Sequence, residues 1–211
     1  MLIPFIPLFE RWGIECKGIV HCGASSGQER QYYASMGLKK VVWIEAIKEV
    51  YDELVRNIAQ YPEQIALNAC IGSTDGAEVT FNVSNNESQS SSFLQLGDHK
   101  TAHPDVHYVR SFTTTTLTLK TILDKAGIKV GEGWVLVADL QGAEMFMLKG
   151  AGDLLDKFNA CYLEVNTTPV YEGCALKGDI EQYLSQYGFN GVEEHIYHDW
   201  HWGDEFFIKN K

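Results

Sequence analysis

Short apolar runs alternate with helix-periodic segments along most of this 211-residue chain, and that rhythm limits its fold more than any single motif. Gly18-Ile19-Val20-His21-Cys22, Val41-Val42-Trp43-Ile44, Ile65 to Ile71, Trp134 to Ala138 and Cys161 to Val165 read as buried strands. A helix is expected from about Gly27 to Met36. Tyr51, Leu54, Val55 and Ile58 repeat at the spacing of one helix face. Leu119, Ile122, Leu123 and Ala126 make another, as do Ala143, Phe146 and Met147, and then Ile180, Tyr183, Leu184 and Tyr187. Strands and helices in alternation predict an α/β fold with a mostly parallel sheet and helices on both faces. Glu205 to Ile208 reads as a closing edge strand.

The middle of the chain breaks the rhythm. Val79, Phe81 and Val83 alternate with polar residues, as do Tyr108, Arg110 and Phe112, and a Ser/Asn-rich loop runs from Ser84 to Ser92. This predicts a β-rich insertion beside the main sheet. Residues 1–17 are expected to form an N-terminal arm and 18–211 a single domain, for which the length suffices.

A net charge of −11 argues against nucleic acid or an anionic membrane as partner. Met1 to Phe9 is apolar, but it is short, broken by Pro4 and Pro7, and has no basic residues ahead of it. It reads as neither a signal peptide nor a membrane span. The five cysteines include no CxxC pair, and Cys22, Cys70 and Cys161 lie in apolar runs, which suits a reducing, cytoplasmic setting.

In a sheet of this kind ligands gather beyond the carboxyl ends of the strands. Gly23-Ala24-Ser25-Ser26-Gly27 follows the first strand, where glycines let backbone approach a ligand. Glu45 ends the second strand, where a carboxylate can hold the hydroxyls of a ribose. The turn is not G-x-G-x-x-G, and no tyrosine is followed four residues later by lysine. An NAD(P)-dependent oxidoreductase is therefore the runner-up, with a catalytically inactive nucleotide-binding module as a further alternative.

Specific motifs then fall in order. Asp139-Leu140-Gln141-Gly142-Ala143-Glu144 with Leu148-Lys149-Gly150-Ala151, Glu164-Val165-Asn166 with Tyr171-Glu172-Gly173, and Asn68-Ala69-Cys70-Ile71-Gly72 resemble the FkbM-type methyltransferases. His21-Cys22-Gly23-Ala24 and Ser90-Ser91-Ser92 are similar to one branch of that family. The likeness runs from about Gly18 to Phe207. It implies a Rossmann-like class I methyltransferase fold, with a seven-stranded sheet ending in an antiparallel strand. It also implies S-adenosylmethionine as cofactor and O-methylation of a sugar, glycan precursor or similar small molecule. Val137 and Ser25 depart from the residues most members carry.

Methyl transfer to an alcohol needs in-line positioning and a base for the departing proton. Asp139 is the expected base, its rival role being a helix N-cap, and Glu164 could assist it. The expected cofactor pocket comprises His21, Gly23, Ala24, Ser25, Ser26, Gly27, Glu45, Ala46, Ala69, Cys70 and Asp139. Ser91, Ser92, Gln141, Asn166, Trp200 and Trp202 are expected around the acceptor. Asp139 with Glu164 could hold Mg²⁺, though this is not the favoured reading. His99, His103 and His107 are spaced like a metal-binding helix face, but Pro104 interrupts them. His195, His198 and His201 read as part of an exposed hairpin.

Overall fold

The computed structural model describes residues 2–210. Its main sheet has seven strands in the order β3-β2-β1-β7-β8-β10-β9. These are β1 (Gly18–Cys22), β2 (Lys40–Glu45), β3 (Gln64–Asn68), β7 (Trp134–Ala138), β8 (Phe158–Asn166), β9 (Phe189–Tyr197) and β10 (Trp202–Lys209). All neighbouring pairs are parallel except those made by β10, which runs antiparallel to both β8 and β9.

Central strands are buried on both faces, so each reads as an unbroken apolar run, and alternate residues feed two separate cores. Val20, Cys22, Leu136, Ala138, Cys161, Leu163 and Phe207 face one layer. There they pack on α5 (Leu119–Lys125), α6 (Glu144–Ala151) and α7 (Lys177–Ser185). Ile19, Trp43, Val135, Val137, Tyr162 and Phe206 face the other. They pack on α1 (Phe5–Trp12), α2 (Arg30–Ser35) and α3 (Lys48–Ile58). Helix α1 belongs fully to this second core: Phe5 stacks on Tyr33 and meets Tyr162 edge-on. Among the described residues no helix is long and apolar enough to cross a membrane, and all five cysteines are free.

The insertion is a separate three-stranded sheet, β4-β6-β5, made of β4 (Cys70–Ile71), β5 (Glu78–Ser84) and β6 (Tyr108–Leu117). The expected strand from Ile65 to Ile71 is thus two strands. Ala69 N–H donates to Glu45 O and the Asn68 amide donates to the carbonyls of Glu45 and Ala46, so the chain is pulled off the main sheet at that point. Between them, α4 (His99–Ala102) is one helical turn that stops short of Pro104.

Two further expectations are corrected. The segment expected to form an edge strand is interior: β10 lies between β8 and β9, and β9 is the edge. Its alternation hid this, since Asp204 and Glu205 look exposed by type yet are both buried. The helix expected from Gly27 begins only at Arg30, because two turns intervene.

Candidate active site

A cavity of about 440 Å³ opens over the carboxyl ends of β1, β2, β7 and β8, on the side of α1 and α2, with the insertion forming its far wall. Its first edge is the turn after β1. Gly23 has φ +76°, and a Cβ there would lie 1.8 Å from the Asp139 carbonyl oxygen, so only glycine allows β1 and β7 to end this close together. Ser25 is also left-handed, at φ +46°. Its N–H donates to Glu45 Oε2 at 3.0 Å, while Ile47 N–H donates to Glu45 Oε1 at 2.8 Å. Both oxygens keep lone pairs, and the carboxylate is fixed at the cavity wall. Burial raises its pKa above the ordinary value. The Gly23 cradle and this two-point anchor suit a nucleoside with a ribose diol.

His21 sits beneath the turn, stacked on Trp43 with ring centroids 5.1 Å apart and its Nδ1 3.0 Å from the Tyr33 hydroxyl. Burial lowers its pKa to about 4, so the ring is neutral and serves as a flat wall.

At the end of β7 the Asp139 side chain opens onto the cavity. It caps no helix: α6 starts five residues on, with Ala143 at its N-cap. Instead Gln141 Nε2 donates to Asp139 Oδ1 at 2.5 Å and to Glu164 Oε2 at 3.1 Å. Gln141 adopts φ +54°, and its Oε1 accepts from the Tyr171 hydroxyl. Glu144, the first residue of α6, accepts from Leu140 N–H through Oε1 at 2.7 Å and closes the turn. Carboxylate oxygens of Asp139, Glu144 and Glu164 lie within 4.8 Å of one another. Surrounding protein pushes Asp139 up to about 6 and Glu144 up to about 8. Burial and then the charge of Asp139 raise Glu164 well above the usual range. The spacing would admit a cation such as Mg²⁺. However, the amide nitrogen between Asp139 and Glu164 already supplies the donor that two adjacent carboxylates need.

Of the residues expected at the cofactor, His21, Gly23, Ala24, Ser25, Glu45, Ala46, Ala69, Cys70 and Asp139 line the cavity. Ser26 and Gly27 do not. Ser26 O accepts from the Asn57 amide, and Gly27, at φ +72°, faces Leu54. Of those expected at the acceptor, Ser91, Gln141 and Trp202 line it, whereas Ser92, Asn166 and Trp200 do not. Ser92 is pinned to Asn82 on β5. Asn166 is fully buried with neither amide atom hydrogen-bonded. Trp200 is in the β9–β10 turn rather than on a strand with Trp202, is 42% exposed, and stacks behind Trp202 at 6.4 Å.

The sequence reading missed Leu2, Tyr162, Asp204 and His99, all of which line the cavity. Asp204 lies directly opposite Glu164 across β10 and β8. Its Oδ2 accepts from the Tyr162 hydroxyl at 2.5 Å and from Leu2 N–H at 2.6 Å, so the start of the chain is tied to the cavity floor. No local pattern signals these residues, because their contacts span up to 202 positions.

This strand order, with a glycine turn after β1 and an anchored acid after β2, defines the class: a Rossmann-like methyltransferase. The Methyltransferase FkbM domain matches residues 21–190. The chain belongs to the FkbM family of S-adenosylmethionine-dependent methyltransferases. No curated protein matches it significantly. Solved structures share the fold at low identity. One is a putative tRNA (m1A22) methyltransferase from Streptococcus pneumoniae in complex with S-adenosyl-L-methionine (TM-score 0.55, 10% identity, 100% of this chain and 74% of that one). Another is magnesium protoporphyrin IX methyltransferase from Synechocystis PCC 6803 with bound SAM (TM-score 0.55, 9% identity, 98% and 76%). A third is a ribosomal protein L11 methylase from Lactobacillus delbrueckii subsp. bulgaricus (TM-score 0.50, 12% identity, 96% and 75%). Their named acceptors are RNA, a porphyrin and a protein, so the fold alone does not specify an acceptor.

Proposed function

We propose that the protein methylates a hydroxyl of a small polyol, a sugar or glycan precursor, with S-adenosylmethionine as methyl donor. The observation that carries this reading is the Asp139 carboxylate, which opens onto the cavity two strands from Glu45. When bound, S-adenosylmethionine supplies an electrophilic methyl on a sulfonium. Glu45 holds the ribose hydroxyls, and the Gly23 to Ser25 backbone lies against the cofactor. Asp139, which is exposed to the cavity, accepts the hydroxyl proton. Its pKa near 6 sits close to working pH, which favours a general base. Glu164, across the Gln141 amide, holds a second acceptor group. Positioning of the oxygen in line with the methyl is the larger part of the catalysis.

A net charge of −11 fits a small acceptor better than a nucleic acid. The test is a screen of glycosides and sugar nucleotides with methyl-labelled S-adenosylmethionine, with tRNA and protein acceptors alongside. Label on a carbohydrate oxygen supports the reading; label only on RNA or protein overturns it. Thermal unfolding separates the alternatives. S-adenosylhomocysteine at a hundredfold over its Kd should stabilise by about 2.7 kcal/mol. A response to NAD(P) alone would return the protein to the oxidoreductases, and binding without turnover would make it an inactive module.

A further inference from the structure

Tyr171 belongs to a segment that is stitched to the insertion. Gly97 N–H and His99 N–H donate to Val170 O at 2.9 and 3.2 Å, and Glu172 N–H donates to Gln95 O at 2.8 Å. Leu96 and Tyr171 form an antiparallel bridge. The two stretches are in tight contact: a Cβ on Gly97 would lie 2.2 Å from Pro169 O. The Tyr171 ring is 1% exposed and meets His99 at 5.6 Å between centroids. On its other side it lies against Gly142, where a Cβ would come within 2.8 Å of Tyr171 Cβ. From there its hydroxyl donates to Gln141 Oε1, in the turn after β7. Burial raises the phenol well above its ordinary pKa, so it keeps the proton that it donates.

The terminal torsion of a glutamine side chain is broad, so its amide points where its partners hold it. Both amide hydrogens of Gln141 are spent on carboxylates, one on Asp139 Oδ1 at 2.5 Å and one on Glu164 Oε2 at 3.1 Å, and the oxygen is spent on Tyr171. Without the phenol, the oxygen loses its donor and the amide is free to turn away from the carboxylates. The backbone is committed too. Gln141 sits at φ +54°, a conformation that costs a non-glycine residue and persists where the surroundings enforce it.

We infer that Tyr171 is a positioning residue for methyl transfer: through the Gln141 amide it holds Asp139, with Glu164 beside it, in the arrangement that receives the acceptor hydroxyl. The insertion is thereby tied to the catalytic carboxylate as well as forming a wall of the cavity. This rests on the reading of Asp139 as the base. Asp139 is faced by Glu45 from β2, Glu144 from α6, Glu164 from β8 and Asp204 from β10, and by the charge of the chain's amino terminus. Tyr171→Phe removes none of these charges, so it isolates the hydroxyl.

The test is NMR spectroscopy of protein saturated with S-adenosylhomocysteine, in EDTA, with isotope labels on the glutamine side-chain amides and the aspartate carboxyls. Tyr171→Phe should shift the Gln141 amide resonances. It should also raise the Asp139 titration midpoint above its wild-type value near 6, because the carboxylate loses a well-aimed donor. Gln141→Met should raise the midpoint at least as far. Adding Tyr171→Phe to Gln141→Met should raise it no further, as expected of two residues acting in series. Cooperative thermal unfolding checks that each variant is folded. A fluorotyrosine at residue 171 covers the case in which Tyr171→Phe does not fold. It keeps the hydroxyl, donates more strongly, and should shift the Gln141 resonances and lower the midpoint. An unmoved midpoint in the folded single variant or the fluorotyrosine protein, or an equal further rise in the double variant, would overturn the inference. None of these readouts needs an acceptor. If they hold while no hydroxyl takes label from S-adenosylmethionine, the hydroxyl-transfer reading fails and the link from Tyr171 to Asp139 stands.

Discussion

Gln141 grips Asp139: its side-chain amide donates to the carboxylate at 2.5 Å, from a backbone held at φ +54° and with its own oxygen tied to Tyr171. A donor in this position favours the ionised form and opposes the desolvation that lifts Asp139, whose side chain still opens to the cavity. The carboxyl is thereby left able to take a proton near neutral pH.

Asp139→Asn preserves the shape and removes the base. Turnover should fall by roughly 10²–10⁴-fold with little change in S-adenosylhomocysteine affinity, measured by label transfer and by calorimetry. In the wild type the rate should rise with pH through about 6 and then level off, because Asp139 must lose its proton before it can accept one. Equal loss of activity, cofactor binding and stability in the variant would make Asp139 structural.

Stability should depend on pH in the opposite sense. Folded Glu144 keeps its proton up to about pH 8, whereas the unfolded chain releases it near the ordinary 4.5. Between those values the folded state binds more protons, so stability falls as pH rises. Glu144→Gln retains the acceptor for Leu140 N–H and cannot titrate. Its Tm difference between pH 5 and pH 8 should be smaller than that of wild type in scanning calorimetry. On the acid side His21, buried and neutral, adds a loss of stability as pH drops below about 6.5 towards 4.

Two glycines with nearly the same backbone separate strain from crowding. Gly37 at φ +75° has open space where a Cβ would go, so Gly37→Ala should cost about 1–2 kcal/mol, the left-handed penalty. Gly23 at φ +76° has the Asp139 carbonyl there. Gly23→Ala should cost clearly more and should also abolish S-adenosylhomocysteine binding, as read by urea unfolding and calorimetry.

The paired tryptophans should behave differently. Trp202 lines the cavity, and Trp200 stacks behind it and meets Tyr197 at a tilt. Trp202→Ala should raise the acceptor KM about tenfold or more, the loss of one aromatic contact of about 1.5 kcal/mol. Trp200→Ala should have a much smaller effect. Equal effects in steady-state kinetics would mean the turn acts as one surface.

Most of the fold was legible because the parallel strands are buried on both sides and must be apolar throughout, as in Val135 to Ala138. The glycine turn and Glu45 were legible as cavity-lining positions because they follow strands at the carboxyl edge of the sheet. What escaped depends on pairing register. Asp204 faces the cavity only because β10 inserts beside β8, and Leu2 reaches it through contacts to Tyr162 and Asp204 that no local pattern announces. Trp200 misled because it lies in the β9–β10 turn, where the period of two does not hold.

The insertion of β10 between β8 and β9 also sets an order of events during synthesis. Both neighbours precede it in the chain, so β9 emerges from the ribosome with no strand to pair with, and the gap at β8 stays open. The polar alternation of β9, with Glu193, Glu194 and His195 along it, keeps that waiting strand soluble. Because β10 also brings Asp204 to Glu164 and to Leu2, that side of the cavity forms only after β10 has inserted.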